Sequence, residues 1–129
     1  MNDNFGHWKE DWKSVYEICA QPECPGAKIA TMLRPEKSDY FVLKPRHSGF
    51  YYTSLQILLD ELKVKRLIIT GIAGNICVWF TANDAHMLDY EIWVPQDCVA
   101  SNTFKENNFA LSQMKSVLSV KTSSSTGRL

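Results

Sequence analysis

One cysteine and one lysine have the residue types and positions that nucleophilic chemistry requires. Cys77 follows the turn 71–74 and lies on the first turn of a predicted helix, and Lys44 ends a predicted strand. A helix N-terminus carries unpaired N–H groups and partial positive charge, and both stabilise an anion such as a thiolate. A neighbouring ammonium group acts in the same direction. A thiolate beside a cation is suited to attack on a carbonyl carbon.

The turn in front of Cys77 could supply a third component. Its residues 72–75 could direct backbone N–H groups toward the oxyanion that such an attack creates. A plainer interpretation exists for both side chains, because a cysteine near a helix start is usually a small buried hydrophobe. A lysine at a strand end is usually a solvated charge. Spacing alone therefore leaves the functional and the structural interpretations open.

The elements that would position these residues alternate along the chain. Apolar periodicity and capping residues predict helices over 8–19, 27–33, 53–64, 75–88 and 103–118. Short apolar runs predict strands over 39–44, 66–70, 91–94 and 119–122. This alternation predicts an α/β fold with a parallel sheet covered on both faces. Ligands bind such sheets at the carboxyl ends of the strands, where Lys44 and Cys77 would both lie.

Length and composition narrow the possible partners. The 129 residues predict one domain over 1–122 and a flexible tail over 123–129. Lysine plus arginine equals aspartate plus glutamate at 14 each, without a basic stripe, so we expect no nucleic-acid partner. Apolar runs are too short to span a membrane and the N-terminus lacks a signal-peptide core, which predicts a cytoplasmic location. The spacing of the four cysteines matches no zinc pattern.

Four stretches resemble segments of the isochorismatase-like cysteine hydrolases. Residues 71–78 and 81–90 resemble the nucleophile segment of that superfamily, and residues 43–50 resemble its catalytic-lysine segment. Residues 2–8 and 94–101 resemble two further stretches. The matches follow the family order and span nearly the whole chain, so together they are specific. The resemblance implies a three-layer α/β/α fold with a Rossmann-like parallel sheet, and it extends to nicotinamidases, isochorismatases and N-carbamoylsarcosine amidase-like enzymes.

The resemblance also implies a role for individual residues. Cys77 would attack the substrate carbonyl and form a thioester, and Lys44 would hold the thiolate and orient the acid/base partner. The Ile72–Ala73 peptide bond would be cis, and the N–H groups of Ala73 and Cys77 would form the oxyanion hole. Five residues are candidates for the wall of the substrate pocket: Phe5, Trp8, His47, Phe50 and Trp79. Plain core packing is at least as strong an expectation for Trp79, and His47 could equally be a surface residue.

The chain departs from the family pattern at its third catalytic residue. That residue is an aspartate at the end of the first strand, and neither Asp3 nor Asp11 matches it. Asn2 and Asp3 match a point just after the second strand of the family. We therefore expect this chain to lack the first strand and helix of the family fold, which would leave the thiol without a carboxylate partner.

A second departure concerns metal binding. Nicotinamidases of this superfamily often hold a metal through an Asp-x-His stretch, and the matching stretch here runs from Asp3 to Phe5. Because a phenylalanine cannot replace the imidazole ligand, we expect no metal at the site. We also expect no other cofactor.

Three functions remain for comparison. The leading hypothesis is an amidase-like cysteine hydrolase that cleaves an amide or related bond of a small molecule through a thioester. The second is isochorismatase activity, the hydrolysis of a vinyl ether, which needs no cysteine nucleophile. The third is a non-catalytic remnant or binding protein, which the unmatched aspartate favours. The resemblance further implies a homo-oligomer.

Overall fold

The computed structural model describes residues 12–126, with side chains from residue 16 onward. The chain divides into two compact units, Met1–Phe41 and Val42–Leu129. The described part of the first unit contains helix α1, Trp12–Cys19, and helix α2, Ala27–Met32. All residues of α2 are at least partly exposed. The predicted helices 8–19 and 27–33 are confirmed over these ranges, and the residues before α1 lie outside the described part.

The second unit contains the elements that position the predicted site. Its helices are α3, α4 and α5, with the bounds Leu55–Glu61, Trp79–Met87 and Phe104–Val117. Its strands are β1, β2, β3 and β4, with the bounds Arg66–Ile68, Gly71–Ile72, Glu91–Trp93 and Val99–Ala100. A π-helical turn, Gly74–Val78, leads directly into α4. Within residues 12–126, no helix is long and apolar enough to cross a membrane.

The strands pair in parallel. β1 pairs with β3 and β2 pairs with β4. Each pair is extended by one backbone hydrogen bond of 2.9 Å. The N–H of Ile69 donates to the carbonyl of Trp93, and the N–H of Gly71 donates to the carbonyl of Cys98. Lys121 forms a further parallel bridge with Trp93, so β3 has a neighbour on each side. The parallel pairing, with helices between the strands, confirms the predicted α/β fold class.

Helices α4 and α5 cover one face of these strands. The buried core joins both helices, the π-helical turn and the strands, and consists of Val78, Ala82, Ala85, Ile92, Val94, Val99, Ala110, Leu111, Met114, Leu118 and Val120. Successive strand residues point to opposite faces, so Leu67 packs on this core whereas Ile68 faces away and is 54% exposed. The core thus fixes the π-helical turn, where Cys77 lies, and the start of α4 against the strands.

The segment that follows the bridge at Lys121 forms hydrogen bonds with the loop that follows β3. The carboxylate of Asp97 accepts hydrogen bonds from the side chain and backbone of Ser125 and from the hydroxyl of Ser124, at 2.7–2.8 Å. These bonds, those of Ser125 first, hold the pKa of Asp97 at about 2, below its usual 3.8. Residues 127–129 lie outside the described part, and the flexibility of the tail 123–129 stays a prediction.

The predicted strand 39–44 is wrong. This segment has no strand conformation, and the side chains of Tyr40 and Leu43 are 65% and 63% exposed. A strand needs a neighbour that accepts and donates its ladder hydrogen bonds, and in the described part the paired segments are β1 to β4 and Lys121. The prediction relied on the apolar run alone, whereas a strand also needs a paired neighbour in the tertiary structure.

A prediction about the core concerns Met114, which is completely buried on α5. The substitution Met114→Ala is expected to lower the free energy of unfolding by about 2–5 kcal/mol, because it leaves a cavity between the helices and the strands. Met87→Ala is the matched control, since Met87 is 75% exposed at the end of α4. Urea unfolding measures both, and equal losses in the two variants would contradict this core.

Candidate functional site

The structure brings Lys44 and Cys77 into contact. The Nζ of Lys44 lies 3.5 Å from the Sγ of Cys77, although the two residues are 33 positions apart in the chain. The same ammonium group donates to the carbonyl of Arg46 at 3.1 Å. Both Lys44 and Cys77 are half-buried. An ammonium at this distance stabilises a thiolate, so the geometry required of a nucleophile pair is present, and the catalytic role of the pair stays a prediction.

The backbone around Cys77 departs from a regular α-helix. The carbonyl of Ala73 accepts the N–H of Val78 at 3.0 Å, which is the wide spacing of a π-helical turn. The Ile72–Ala73 peptide bond, for which the resemblance implied a cis form, is cis. π-Helical turns occur frequently at functional sites. The N–H groups of Ala73 and Cys77 both belong to this short segment, and their oxyanion role stays a prediction.

A partly buried polar network lies against the turn. The hydroxyl of Ser101 accepts the N–H of Asn75 at 3.1 Å and donates to the Oδ1 of Asn107 at 3.0 Å. The Nδ2 of Asn107 donates in turn to the carbonyl of Val99 at 3.3 Å. A Cβ on Gly74 would lie 3.0 Å from the hydroxyl of Ser101 and still closer to Asn107. Only glycine therefore allows the turn to approach this network.

A threonine on α4 ties the loop after Lys44 to the nucleophile turn. The hydroxyl of Thr81 donates to the carbonyl of Cys77 at 2.7 Å and accepts the N–H of Gly49 at 2.9 Å. The hydroxyl of Thr53 also donates to the carbonyl of Gly49. One side chain thus links the two segments that contribute the predicted catalytic residues.

The predicted pocket residue His47 lies beside the thiol. Its Nδ1 is 4.0 Å from the Sγ of Cys77, and its ring centroid is 5.5 Å from that of Phe80. Phe80 is 51% exposed and was not among the candidates. Its position nearly one helical turn after Cys77, which places both on one face of the helix, is the signal that could have identified it.

Phe50 and Trp79 occupy different surroundings from His47. Phe50 lies against the ring of Tyr90, with centroids 6.0 Å apart, and Trp79 against that of Phe109, at 6.3 Å. Both also pack against the buried core. Trp79 therefore has the core contacts that its plainer interpretation predicts, and a pocket role for either residue stays a prediction. The candidates Phe5 and Trp8 lie outside the described residues.

An open cavity of about 200 Å³ lies beside the network under the turn. Its lining consists of residues 99–104 and Asn107, and does not include the predicted pocket-wall residues. It lies where β4 ends, which is the usual place for ligands in parallel sheets. Sequence reasoning missed Ser101 and Asn107, although the stretch 94–101 was one of those that resembled the family.

Metal ligands are a separate question. In the part of the chain that the structure describes, no group of three or more histidine, cysteine, aspartate or glutamate side chains is arranged to hold a metal ion. The stretch from Asp3 to Phe5, on which the expectation of no metal depends, lies outside that part. The absence of a metal and of other cofactors stays a prediction.

Comparison with known proteins agrees with the fold and the resemblance. Residues 1–125 match the family described as Isochorismatase domain. The chain belongs to the isochorismatase family. The isochorismatase family protein YaaI of Bacillus subtilis (strain 168) is 50% identical over 118 residues, which cover 92% of this chain and 64% of YaaI. The ureidoacrylate amidohydrolase RutB of Enterobacter sp. (strain 638) is 47% identical over 63 residues, 49% of this chain and 27% of RutB.

Solved structures show the same similarity. The nicotinamidase SaPncA from Staphylococcus aureus superposes with a TM-score of 0.67 at 32% identity, over 75% of this chain and 61% of that enzyme. The N-carbamoylsarcosine amidase from Thermoplasma acidophilum superposes with a TM-score of 0.71 at 24% identity, over 98% and 68% of the two chains. This second similarity shows the fold alone. The chain thus spans about two thirds or less of the length of these relatives.

The turn that presents Cys77 generates one prediction. Gly74→Ala is expected to lower the free energy of unfolding by about 1–3 kcal/mol, because the added methyl group displaces Ser101 and Asn107. Gly26→Ala is the matched control, since a Cβ there meets nothing within 4 Å. Urea unfolding of the two variants checks this, and a Gly74→Ala protein as stable as the Gly26→Ala protein would disprove the close approach.

The threonine link generates another prediction. Thr81→Val keeps the side-chain shape but removes the hydroxyl, leaving the N–H of Gly49 and the carbonyl of Cys77 without this partner. We expect a loss of about 1–3 kcal/mol in the free energy of unfolding and slower alkylation of Cys77 by iodoacetamide. Thr81→Ser retains the hydroxyl and should stay close to the wild type. If both variants behave alike, the hydroxyl does not hold the two segments together.

Proposed function

We propose that this protein is a hydrolase that cleaves an amide-type C–N bond of a small molecule through a thioester on Cys77. The observation that carries the proposal is the 3.5 Å contact between the Nζ of Lys44 and the Sγ of Cys77. The thiolate, not the thiol, is the nucleophile, so a cation in contact with the sulfur favours the reactive form. Family membership and the amidohydrolase and nicotinamidase relatives support the same chemistry.

The first half of the reaction forms the thioester. The sulfur of Cys77 attacks the carbonyl carbon, and the electron pair of the carbonyl double bond moves to oxygen. The N–H groups of Ala73 and Cys77 stabilise this oxyanion. As the carbonyl re-forms, the C–N bond breaks, the amine leaves with a proton taken from water, and the acyl group remains on sulfur.

The second half releases the acid. Water attacks the thioester carbon and releases a proton to solvent, the C–S bond breaks, and the thiolate of Cys77 is restored beside Lys44. The ammonium group has three N–H donors and no acceptor, so it stabilises the sulfur anion without taking a proton. Its bond to the carbonyl of Arg46 keeps it directed at the sulfur throughout.

Vinyl ether hydrolysis is the second candidate, and the name of the matched family favours it. That reaction needs no thiolate, so the contact between Lys44 and Cys77 favours the amide chemistry. Turnover of isochorismate compared with that of nicotinamide, ureidoacrylate and N-carbamoylsarcosine separates the two, and a purely binding protein would turn over none of them. The homo-oligomeric state and the cytoplasmic location stay predictions.

Replacing the nucleophile tests the proposal directly. Cys77→Ala is expected to reduce amide turnover by at least about 10³-fold and to prevent acyl-enzyme formation, because no sulfur remains to be acylated. Cys98→Ala is the matched control, since Cys98 is also a half-buried free thiol. Initial rates and intact-protein mass spectrometry with trapped substrate measure the two effects. Turnover that survives in Cys77→Ala would exclude the thioester route.

A further inference from the structure

We infer that Lys44 and Cys77 form a covalent modification site, at which a hydroperoxide oxidises the sulfur and the amine of Lys44 then bonds to it as a sulfenamide. The observation that carries the inference is the 3.5 Å contact between the Nζ of Lys44 and the Sγ of Cys77. The linkage uses only the sulfur, the amine and the peroxide, so it does not depend on the proposed hydrolase activity.

The sulfur of Cys77 has the surroundings of an oxidation-prone thiol. The susceptibility of a cysteine to peroxide follows its thiolate character and its accessibility. The ammonium group of Lys44 stabilises the thiolate, and Cys77 is half-buried rather than enclosed. Cys98 is also half-buried, but its sulfur lies 3.9 Å from the carboxylate of Asp97 instead. The two thiols therefore differ in the sign of the charge beside them.

The amine of Lys44 is positioned for the second step. A sulfenic acid condenses with a neighbouring thiol or nitrogen atom, and reacting atoms about 3–3.5 Å apart are already at the separation of a near-attack arrangement. The Nζ of Lys44 meets this condition, and its hydrogen bond to the carbonyl of Arg46 holds it there. Thr81 bonds to the backbone of Cys77 and to that of Gly49, so the segments that carry the pair stay together.

The charge on the lysine is coupled to the oxidation state of the sulfur. An ammonium group has no lone pair, so only the neutral amine can bond to sulfur. While the sulfur is a thiolate, its attraction favours the charged form of Lys44. Conversion to the sulfenic acid removes that anion, and with it the interaction that favours the ammonium group. The nucleophilic amine therefore becomes available after the sulfur has been oxidised.

The atoms and electrons balance over the two steps. The sulfur of Cys77 attacks one oxygen of hydrogen peroxide, the O–O bond breaks, and water leaves as the sulfenic acid forms. The nitrogen lone pair of Lys44 then attacks the sulfur, the S–O bond breaks, and the hydroxide takes a proton from the amine and leaves as a second water. Thiol, amine and peroxide become a sulfenamide and two waters, with the sulfur oxidised by two electrons and the peroxide reduced by two.

The linkage both blocks and protects the sulfur. A sulfenic acid that stays free is oxidised further to a sulfinic acid, which thiols do not reduce. In the sulfenamide the sulfur is already bonded to nitrogen, so Cys77 reacts neither with a second peroxide nor with iodoacetamide. Dithiothreitol attacks the sulfur, displaces the amine and then restores the free thiol. Under the proposed function, the same linkage stops turnover reversibly.

Mass spectrometry of the peroxide-treated full chain tests the inference without a substrate. A small molar excess of hydrogen peroxide is expected to lower the intact mass by about 2 Da and to join the peptides that contain Lys44 and Cys77, whereas a sulfinic acid raises the mass by about 32 Da. Dithiothreitol should restore the original mass and the alkylation of Cys77. The linked share of the oxidised protein should be greater at about pH 9 than at about pH 7, because lysine amines in general lose their proton at about pH 10.

Lys44→Arg keeps a cation beside the sulfur but removes the nucleophile, because a guanidinium group stays charged in proteins. We expect this variant to form at least about tenfold less of the linked product and to accumulate sulfinic acid at Cys77 instead. Lys115→Arg is the matched control, since Lys115 is exposed in the last turn of α5, and it should link as the wild type does. Cys98→Ala removes an alternative disulfide partner and should also link unchanged.

Three results would overturn the inference. A wild-type protein that stays unmodified, or that proceeds to sulfinic acid, would show that no amine captures the oxidised sulfur. The expected mass loss without a link between Lys44 and Cys77 would assign the capture to another group. Undiminished mass loss in Lys44→Arg would do the same. None of these results bears on the proposed function, which fails if Cys77→Ala retains its turnover.

Discussion

The contact between the ammonium group of Lys44 and the sulfur of Cys77 is the interaction on which the organisation of the site depends. A half-buried ammonium loses part of its hydration, so it needs other partners that compensate for the loss. The sulfur and the carbonyl of Arg46 provide them. The contact is most stabilising when the sulfur is ionised, because the attraction between a cation and an anion is stronger where water is partly excluded.

The surrounding structure holds both partners of this contact, Cys77 and Lys44, in position. On the side of the nucleophile, Gly74 approaches the Ser101–Asn107 network more closely than a side chain would allow. On the side of the lysine, the loop is tied to α4 through Thr81. Hydrogen bonds of this kind are stronger in a partly buried setting than in water, and leaving one of their groups unpaired is correspondingly costly. The site is therefore part of the packing of the π-helical turn and α4 against the loop after Lys44 and the Ser101–Asn107 network.

The same packing explains why His47 differs from the other aromatic candidates. Phe50 and Trp79 lie against other rings and the core, so their surroundings match those of structural residues. His47 and Phe80 instead lie on the exposed side of the site, with the imidazole beside the thiol. Residue type alone could not separate these four side chains. Their neighbours in the folded structure, which come from distant segments, distinguish the site residues from the core residues.

The sequence by itself determined the α/β class, the helices that became α4 and α5, and the position of Cys77 on the turn that leads into α4. These features depend on local apolar periodicity and turn residues, which act over one or two turns of chain. Local pattern predicted a strand over 39–44 that the structure does not form, and it missed the short strands β2 and β4. Only the tertiary structure decided that Lys44 touches the sulfur, that Thr81 links the two segments, and that Ser101 and Asn107 support the turn. Those contacts join residues that are far apart in the chain, and no local pattern encodes a distance between segments that meet only after folding.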